Sequence, residues 1–253
     1  MQLTILKMKK LLTPFLALFA AAASAAPGGG AVCFSFDDYH GENWLKADAL
    51  FKKYNAHATF LVSGEITDAK AAVMKELQKR GHSVGLHTEH HRDATRFIQK
   101  YGEEWYFKNE LKPQLDACKK HGLVVKNFAY PNNRRDERTD ALLWKYFDYL
   151  RAGWGKAKNP LYFPANKIEN KMVLGGGGIG IYYNTRVEDL KKQLDEAART
   201  DSVIVFFSHN IAPGAVRIHM PTEVLEELLK HAQSINLRVV GFDELTKLNS
   251  SVK

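Results

Sequence analysis

Two adjacent carboxylates, Asp37 and Asp38, close an apolar run that begins at Ala31. One member of such a pair can hold a cation while the other takes a proton. His87 and His91 stand four residues apart in His-Thr-Glu-His-His. That spacing puts two imidazoles on one side of a turn, as a shared cation requires. His90 competes at three-residue spacing and is expected to face outward or to stand behind the ligands, and His40 has no assigned part. His209 follows the apolar run 203–207 and could act as a separate acid. Singly, these signals are weak: 13 Asp and 10 His in 253 residues yield roughly 0.7 Asp-Asp pairs and roughly 0.4 such His pairs by chance. Together, two histidines and a carboxylate match an open catalytic zinc site, and a second carboxylate with a further histidine supplies base and acid. That set describes metal-assisted hydrolysis.

Other patterns carry less. Ser208 and His209 are neighbours on an extended chain, so their side chains point to opposite faces, and no G-x-S-x-G elbow is present. Gly175, Gly177 and Gly180 spell G-x-G-x-x-G, but the strand-like Ile181-Tyr182-Tyr183 follows instead of a helix, which rules out a dinucleotide site. The glycine run 175–178 is read as a flexible or tightly turning loop. Segment 132–138 is basic but contains acids and no aromatic residue, a poor nucleic-acid surface.

These residues need elements to position them. A continuous apolar strand at 31–36 suits burial on both faces. Helix is expected at 44–54, 69–80 (closed by Gly81), 103–120 (bent at Pro113), 140–147 (capped by Thr139) and 222–234, and also after a Thr185/Glu188 capping box. Strands are expected at 58–62, 82–86, 124–130, 149–153, 203–207 and 237–242. Strand and helix alternate, so the architecture is α/β with a parallel sheet in one domain over 31–253. The chemical segments all follow strands. In a β/α barrel such loops converge on one face.

Residues 1–25 have the layout of a secretory signal peptide: Lys7, Lys9 and Lys10, an apolar run, then Ala23-Ser24-Ala25. A short linker at 26–30 follows. Cleavage lowers the formal charge from +8 to +5 by removing three lysines, and leaves 253 − 25 = 228 residues. Export to the periplasm or the cell exterior is expected, without stable membrane insertion after cleavage. Cys33 and Cys118 are expected to stay unpaired thiols.

The segments SFDDYH, LFKKYNAHATFLVSG, RGHSVGLHTEHH, NFAYPNN, VIVFFSH and LRVVGFDEL, in that order, resemble the NodB-homology polysaccharide deacetylases, carbohydrate esterase family four. The resemblance runs from about Ala31 to Leu245. It implies a distorted (β/α)7 barrel in which Asp38, His87 and His91 bind Zn²⁺, or Co²⁺ or Ni²⁺ in its place. It makes Asp37 the general base, His209 the acid for the leaving amine and the backbone N–H of Asn132 an oxyanion donor. Tyr39, Tyr130, Pro131, Trp154 and Phe207 would contact substrate. The chain departs from the family in four places. Ala129 stands where many relatives carry an arginine that braces the base, with Arg134, Arg135 or Arg151 as replacements. The aspartate that tunes the catalytic histidine has no match near YLRAGWG. Tyr39 and Asn133 replace glycines.

The implied activity is metal-dependent N-deacetylation of N-acetylglucosamine in a cell-wall glycan, peptidoglycan first, by a monomer with no nucleic-acid partner. Chitin-type and poly-N-acetylglucosamine polymers are alternatives, as is acetylated xylan. A wall-binding protein with a decayed site and a metal phosphoesterase are readings from other classes.

Overall fold

The computed structural model describes residues 29–155 and 160–251. The expected signal peptide at 1–25 and all of the expected linker except Gly29 and Gly30 lie outside the described residues. In chain order the elements are β1 (Ala31–Asp38), α1 (Gly41–Lys53), β2 (Thr59–Val62), α2 (Asp68–Lys79), β3 (Ser83–Leu86), α3 (Ala94–Tyr101), α4 (Glu103–Tyr106), α5 (Lys112–Lys120) and β4 (Asn127–Ala129). Then come α6 (Glu137–Leu143), β5 (Tyr149–Gly153), β6 (Tyr162–Pro164), β7 (Met172–Gly178), α7 (Val187–Arg199), β8 (Ser202–Ser208), β9 (Ile211–Ala212), β10 (Met220–Pro221), α8 (Thr222–Ser234) and β11 (Arg238–Val239). Strands β1, β2, β3, β4, β5, β7 and β8 pair in parallel in that order, and β8 pairs back to β1. This closes a seven-stranded barrel with helices outside, the (β/α)7 arrangement implied by the resemblance. β11 extends the sheet beside Ala31 and Val32, and β6 adds antiparallel to β8.

Strand alternation sorts side chains between two cores. In β1, Val32, Phe34 and Phe36 pack toward the helices. Ala31 and Cys33 face the barrel lumen with Leu61, Ala129, Leu174, Val203 and Val205. The same parity turns Asp37 inward at the barrel mouth and, on β5, turns Arg151 inward between the outward Leu150 and Ala152. Cys33 and Cys118 are buried and unbridged.

Several local expectations are corrected. The glycine run is not a loop: Gly175–Gly178 ends β7, with Gly175, Gly176 and Gly177 buried. A Cβ on Gly176 would meet Arg151 Cδ at 3.0 Å and Phe207 Cδ1 at 3.1 Å, so the missing side chains make room for an inward arginine. Ile181–Tyr183 is a 3-10 turn, not a strand. Thr185 does not cap α7; its hydroxyl accepts from the Gly180 N–H and closes the preceding loop. Asp136, not Thr139, is the N-cap of α6, with Thr139 completing its capping box. The expected bend near Pro113 is a π turn, Phe107–Leu111, where the Lys112 N–H reaches back to the Phe107 carbonyl. Helix α3 was not anticipated. Among the described residues no helix is long and apolar enough to cross a membrane.

Candidate active site

The chemical residues gather at the C-terminal end of the barrel. Asp37 and Asp38 end β1, His87 follows β3, Asn132 follows β4, and His209 follows β8. With Tyr130, Asn133, Tyr183, Phe207 and Ile218 they line a pocket of about 220 Å³. The backbone here is strained. Asp38 (φ 72°), Thr88 (φ 67°), His91 (φ 53°), Asn132 (φ 56°) and Asn133 (φ 57°) all take left-handed conformations. Each costs on the order of 1 kcal/mol, and such residues persist where function holds them. At Asn133 the conformation accounts for the usual glycine, because asparagine is the side chain that tolerates it best.

Asp38, His87 and His91 each offer a donor atom within 4.8 Å of the other two. The Nε2 atoms of His87 and His91 both lie 3.8 Å from Asp38 Oδ1, too far for hydrogen bonds. Two donors on one tetrahedral ion, each about 2.0–2.1 Å from it, sit roughly 3.4 Å apart. His87 Nδ1 is 2.8 Å from the Ala129 carbonyl and donates to it, which fixes the tautomer and leaves the Nε2 lone pair free. Burial is the main reason His87 is held neutral, with its pKa lowered to about 4. Two imidazoles and a carboxylate fit a divalent cation such as Zn²⁺.

The base position is built differently from the family pattern. The Arg151 guanidinium forms a buried ion pair with Asp37 Oδ2 and donates to Asn133 Oδ1 at 2.6 Å. Its flat face lies 4.4 Å from the Phe207 ring centroid. Ala129 and Arg151 are register partners across β4 and β5. The guanidinium therefore reaches Asp37 from the neighbouring strand at the same level of the lumen. Burial works to raise the Asp37 pKa, but the charges of Arg151, His87 and His209 and the Arg151 hydrogen bond outweigh it and hold the carboxyl below its usual value. Asp37 Oδ1 is buried with no hydrogen-bond partner among the described residues. Arg135 instead pairs with Asp140, and Arg134 lies 3.4 Å from Asp93.

His209 is also held by main chain. Its Nδ1 donates to the Ile218 carbonyl at 3.1 Å, and its own carbonyl accepts from Trp44 Nε1 at 3.0 Å. Its Nε2 faces the pocket, 3.9 Å from Asp38 Oδ2. The Ile218 carbonyl thus orients the ring, a part expected of an aspartate. Of the substrate-contact candidates, Tyr130 and Phe207 line the pocket, while Tyr39, Pro131 and Trp154 do not. Tyr39 packs edge-on against Trp44, Pro131 is buried beneath the Asn132–Asn133 turn, and Trp154 is exposed. The Tyr130 hydroxyl is committed to Asp140 at 2.6 Å. Sequence reasoning missed Tyr183 and the supports behind the histidine loop. Buried Glu110 accepts from the His90 N–H and pairs with Arg92. Buried Gln114 Nε2 donates to the carbonyls of Val62, Gly64 and Thr88.

The family model for polysaccharide deacetylase matches residues 24–146. No curated protein matches the sequence. Among solved structures, peptidoglycan deacetylase PdaC from Bacillus subtilis is similar at 15% identity, with 89% of this chain and 94% of that chain covered and a TM-score of 0.59. A family 4 acetyl xylan esterase from Clostridium thermocellum in complex with a cobalt ion is similar at 20% identity, with 86% and 90% covered and a TM-score of 0.56. A family 4 carbohydrate esterase from Streptomyces lividans in complex with acetate is similar at 13% identity, with 84% and 92% covered and a TM-score of 0.57. At these identities the likeness is one of fold, and it spans the barrel beyond residue 146, including β5 with Arg151 and β8 before His209. Over residues 24–146 the chain matches the polysaccharide deacetylases, a family of hydrolytic deacetylases.

Proposed function

We propose that the protein is an exported deacetylase that hydrolyses the acetamide of N-acetylglucosamine residues in a cell-wall glycan, with peptidoglycan the first candidate. The observation that carries the reaction is the divided Asp37 carboxylate. One oxygen is held by Arg151, and the other is buried with no hydrogen-bond partner among the described residues, in a side chain that lines the pocket. That oxygen takes a proton from the water that attacks the acetyl carbonyl. When bound at Asp38, His87 and His91, a divalent ion supplies Lewis-acid polarisation and acidifies water. The Asn132 backbone N–H receives the developing oxyanion. His209 delivers a proton from Nε2 to the departing nitrogen, because an amide nitrogen leaves poorly unless protonated. Water and amide become acetate and a free sugar amine.

The two missing motif residues motivate a second reading, a wall-binding protein with a decayed site. Arg151 and the Ile218 carbonyl occupy the places those residues would serve, which supports a working site instead. Acetate release from peptidoglycan and chitin oligomers, with chelator and with added Zn²⁺, tests the proposal. Release abolished by chelator and restored by Zn²⁺ is expected, with Asp37→Asn slower by at least about a hundredfold. Chelator-insensitive release would overturn the metal assignment.

A further inference from the structure

A cleft of about 800 Å³ adjoins the 220 Å³ pocket and shares His91, Asn132, Asn133 and Tyr183 with it. Its lining carries three guanidinium groups, Arg92, Arg96 and Arg134, against one carboxylate, Asp93. That carboxylate is already committed: Oδ1 accepts from the Thr95 hydroxyl and the Arg96 N–H, and Oδ2 lies 3.4 Å from Arg134 Nε. Arg92 is held rigidly. It pairs with the buried Glu110 at 3.2 Å and stacks 5.3 Å from the Phe97 ring and 5.4 Å from the Trp105 ring. The Arg96 guanidinium has no acidic partner among the described residues, and the Arg134 side chain is 67% exposed. Tyr182, 73% exposed, lines the same cleft and offers an aromatic face to a sugar ring.

We propose that this cleft binds a carboxylate carried by the glycan next to the acetylated sugar, with Arg96 and Arg134 as its recognition groups. The inference rests on the deacetylase reading and narrows it to acidic glycans. Guanidinium forks match a carboxylate in plane and charge, and a neutral homopolymer offers them no such partner. The lactyl carboxylate of a neighbouring muramic acid has this chemistry.

Three substrates of equal length separate the outcomes: a chitin oligomer, a glucosamine–muramic acid oligomer with both sugars N-acetylated, and the latter with its lactyl carboxylates amidated. Wild type is expected to prefer the acidic oligomer. Arg96→Gln/Arg134→Gln should lower the acidic-to-neutral ratio of kcat/KM about tenfold, chiefly through KM, and amidation should mimic the double substitution. The preference should also shrink as salt rises from about 0.05 to 0.5 M. Equal losses on all three substrates, or an unchanged ratio, overturn the proposal. Calorimetric binding of the same oligomers to the wild-type chain tests the cleft separately from turnover. Acetate released from the chitin oligomer without tighter binding of the acidic one defeats the cleft alone; tighter acidic binding without acetate from any substrate defeats the deacetylase reading alone.

Discussion

At the scale of single residues, the proposed reaction depends on how Asp37 is kept ionised and aimed. Burial favours the neutral acid, and Arg151 is the leading counterweight. Arg151→Met should therefore raise the Asp37 pKa and move the acid limb of the kcat/KM profile to higher pH. It should also lower kcat at least about a hundredfold by freeing the carboxylate, while KM changes little. A damaged fold would not shift the pH limb. Since Ala129 and Arg151 are register partners, adding Ala129→Arg to Arg151→Ala should restore part of the lost rate by returning a guanidinium from β4. The cluster of Asp38, His87 and His91 beside Asp37 was legible in the sequence because its spacing is local: a dipeptide and a four-residue turn. Arg151 was only one of three candidates, because choosing it requires the pairing of β4 with β5. Its signal was a cation within an otherwise apolar strand.

At the scale of elements, the π turn before α5 matters to the candidate metal site. It is associated with a fully buried Glu110 at the end of the turn, and Glu110 grips the His90 N–H and Arg92, on either side of His91. π turns inserted in helices recur at functional sites for this kind of reason. Glu110→Ala should loosen the loop and weaken Zn²⁺ binding about 10–100-fold, as loss of a ligand's supporting partner does. Competition with a chromophoric chelator measures this, and circular dichroism of the same sample reports whether the helices survive. Strand–helix alternation and the burial of β1 on both faces could be read from the sequence because buried parallel strands are continuous apolar runs, whereas which side chains face the lumen could not. The glycine run misled because glycine usually marks a turn. In β7 its value is the absent Cβ, which admits Arg151 and Phe207 to the lumen, and that depends on two other strands. Gly176→Val should accordingly mimic Arg151→Met in its pH profile.

At the scale of the whole molecule, the barrel closes a layer of ionisable groups over an apolar lumen, so its stability should depend on pH. His87 is the clearest contributor. Burial lowers its pKa from 6.5 to about 4 in the folded chain. Below pH 6.5 the unfolded chain binds a proton at this site that the folded chain refuses, so metal-free stability falls as pH drops from about 6.5 to about 4. At the lower end the loss is on the order of 3 kcal/mol, taking about 1.4 kcal/mol per pH unit. The depressed Asp37 has the same sign in a lower window: its contribution is present above the ordinary carboxylate pKa and is lost as pH falls through its folded value. A histidine on a carbonyl hydrogen bond and a carboxylate on a guanidinium thus fail one after the other on acidification. Thermal unfolding of the chelated protein, scanned from pH 7 to pH 4, should show Tm falling steadily. His87→Gln should flatten that slope by about one proton's worth, even if its Tm at pH 7 is lower, because glutamine leaves nothing to titrate there. A slope unchanged by the substitution would mean that His87 is not the group being held neutral. Zn²⁺ should raise Tm most at pH 7 and progressively less toward pH 4, since protons and the ion compete for the same Nε2 atoms.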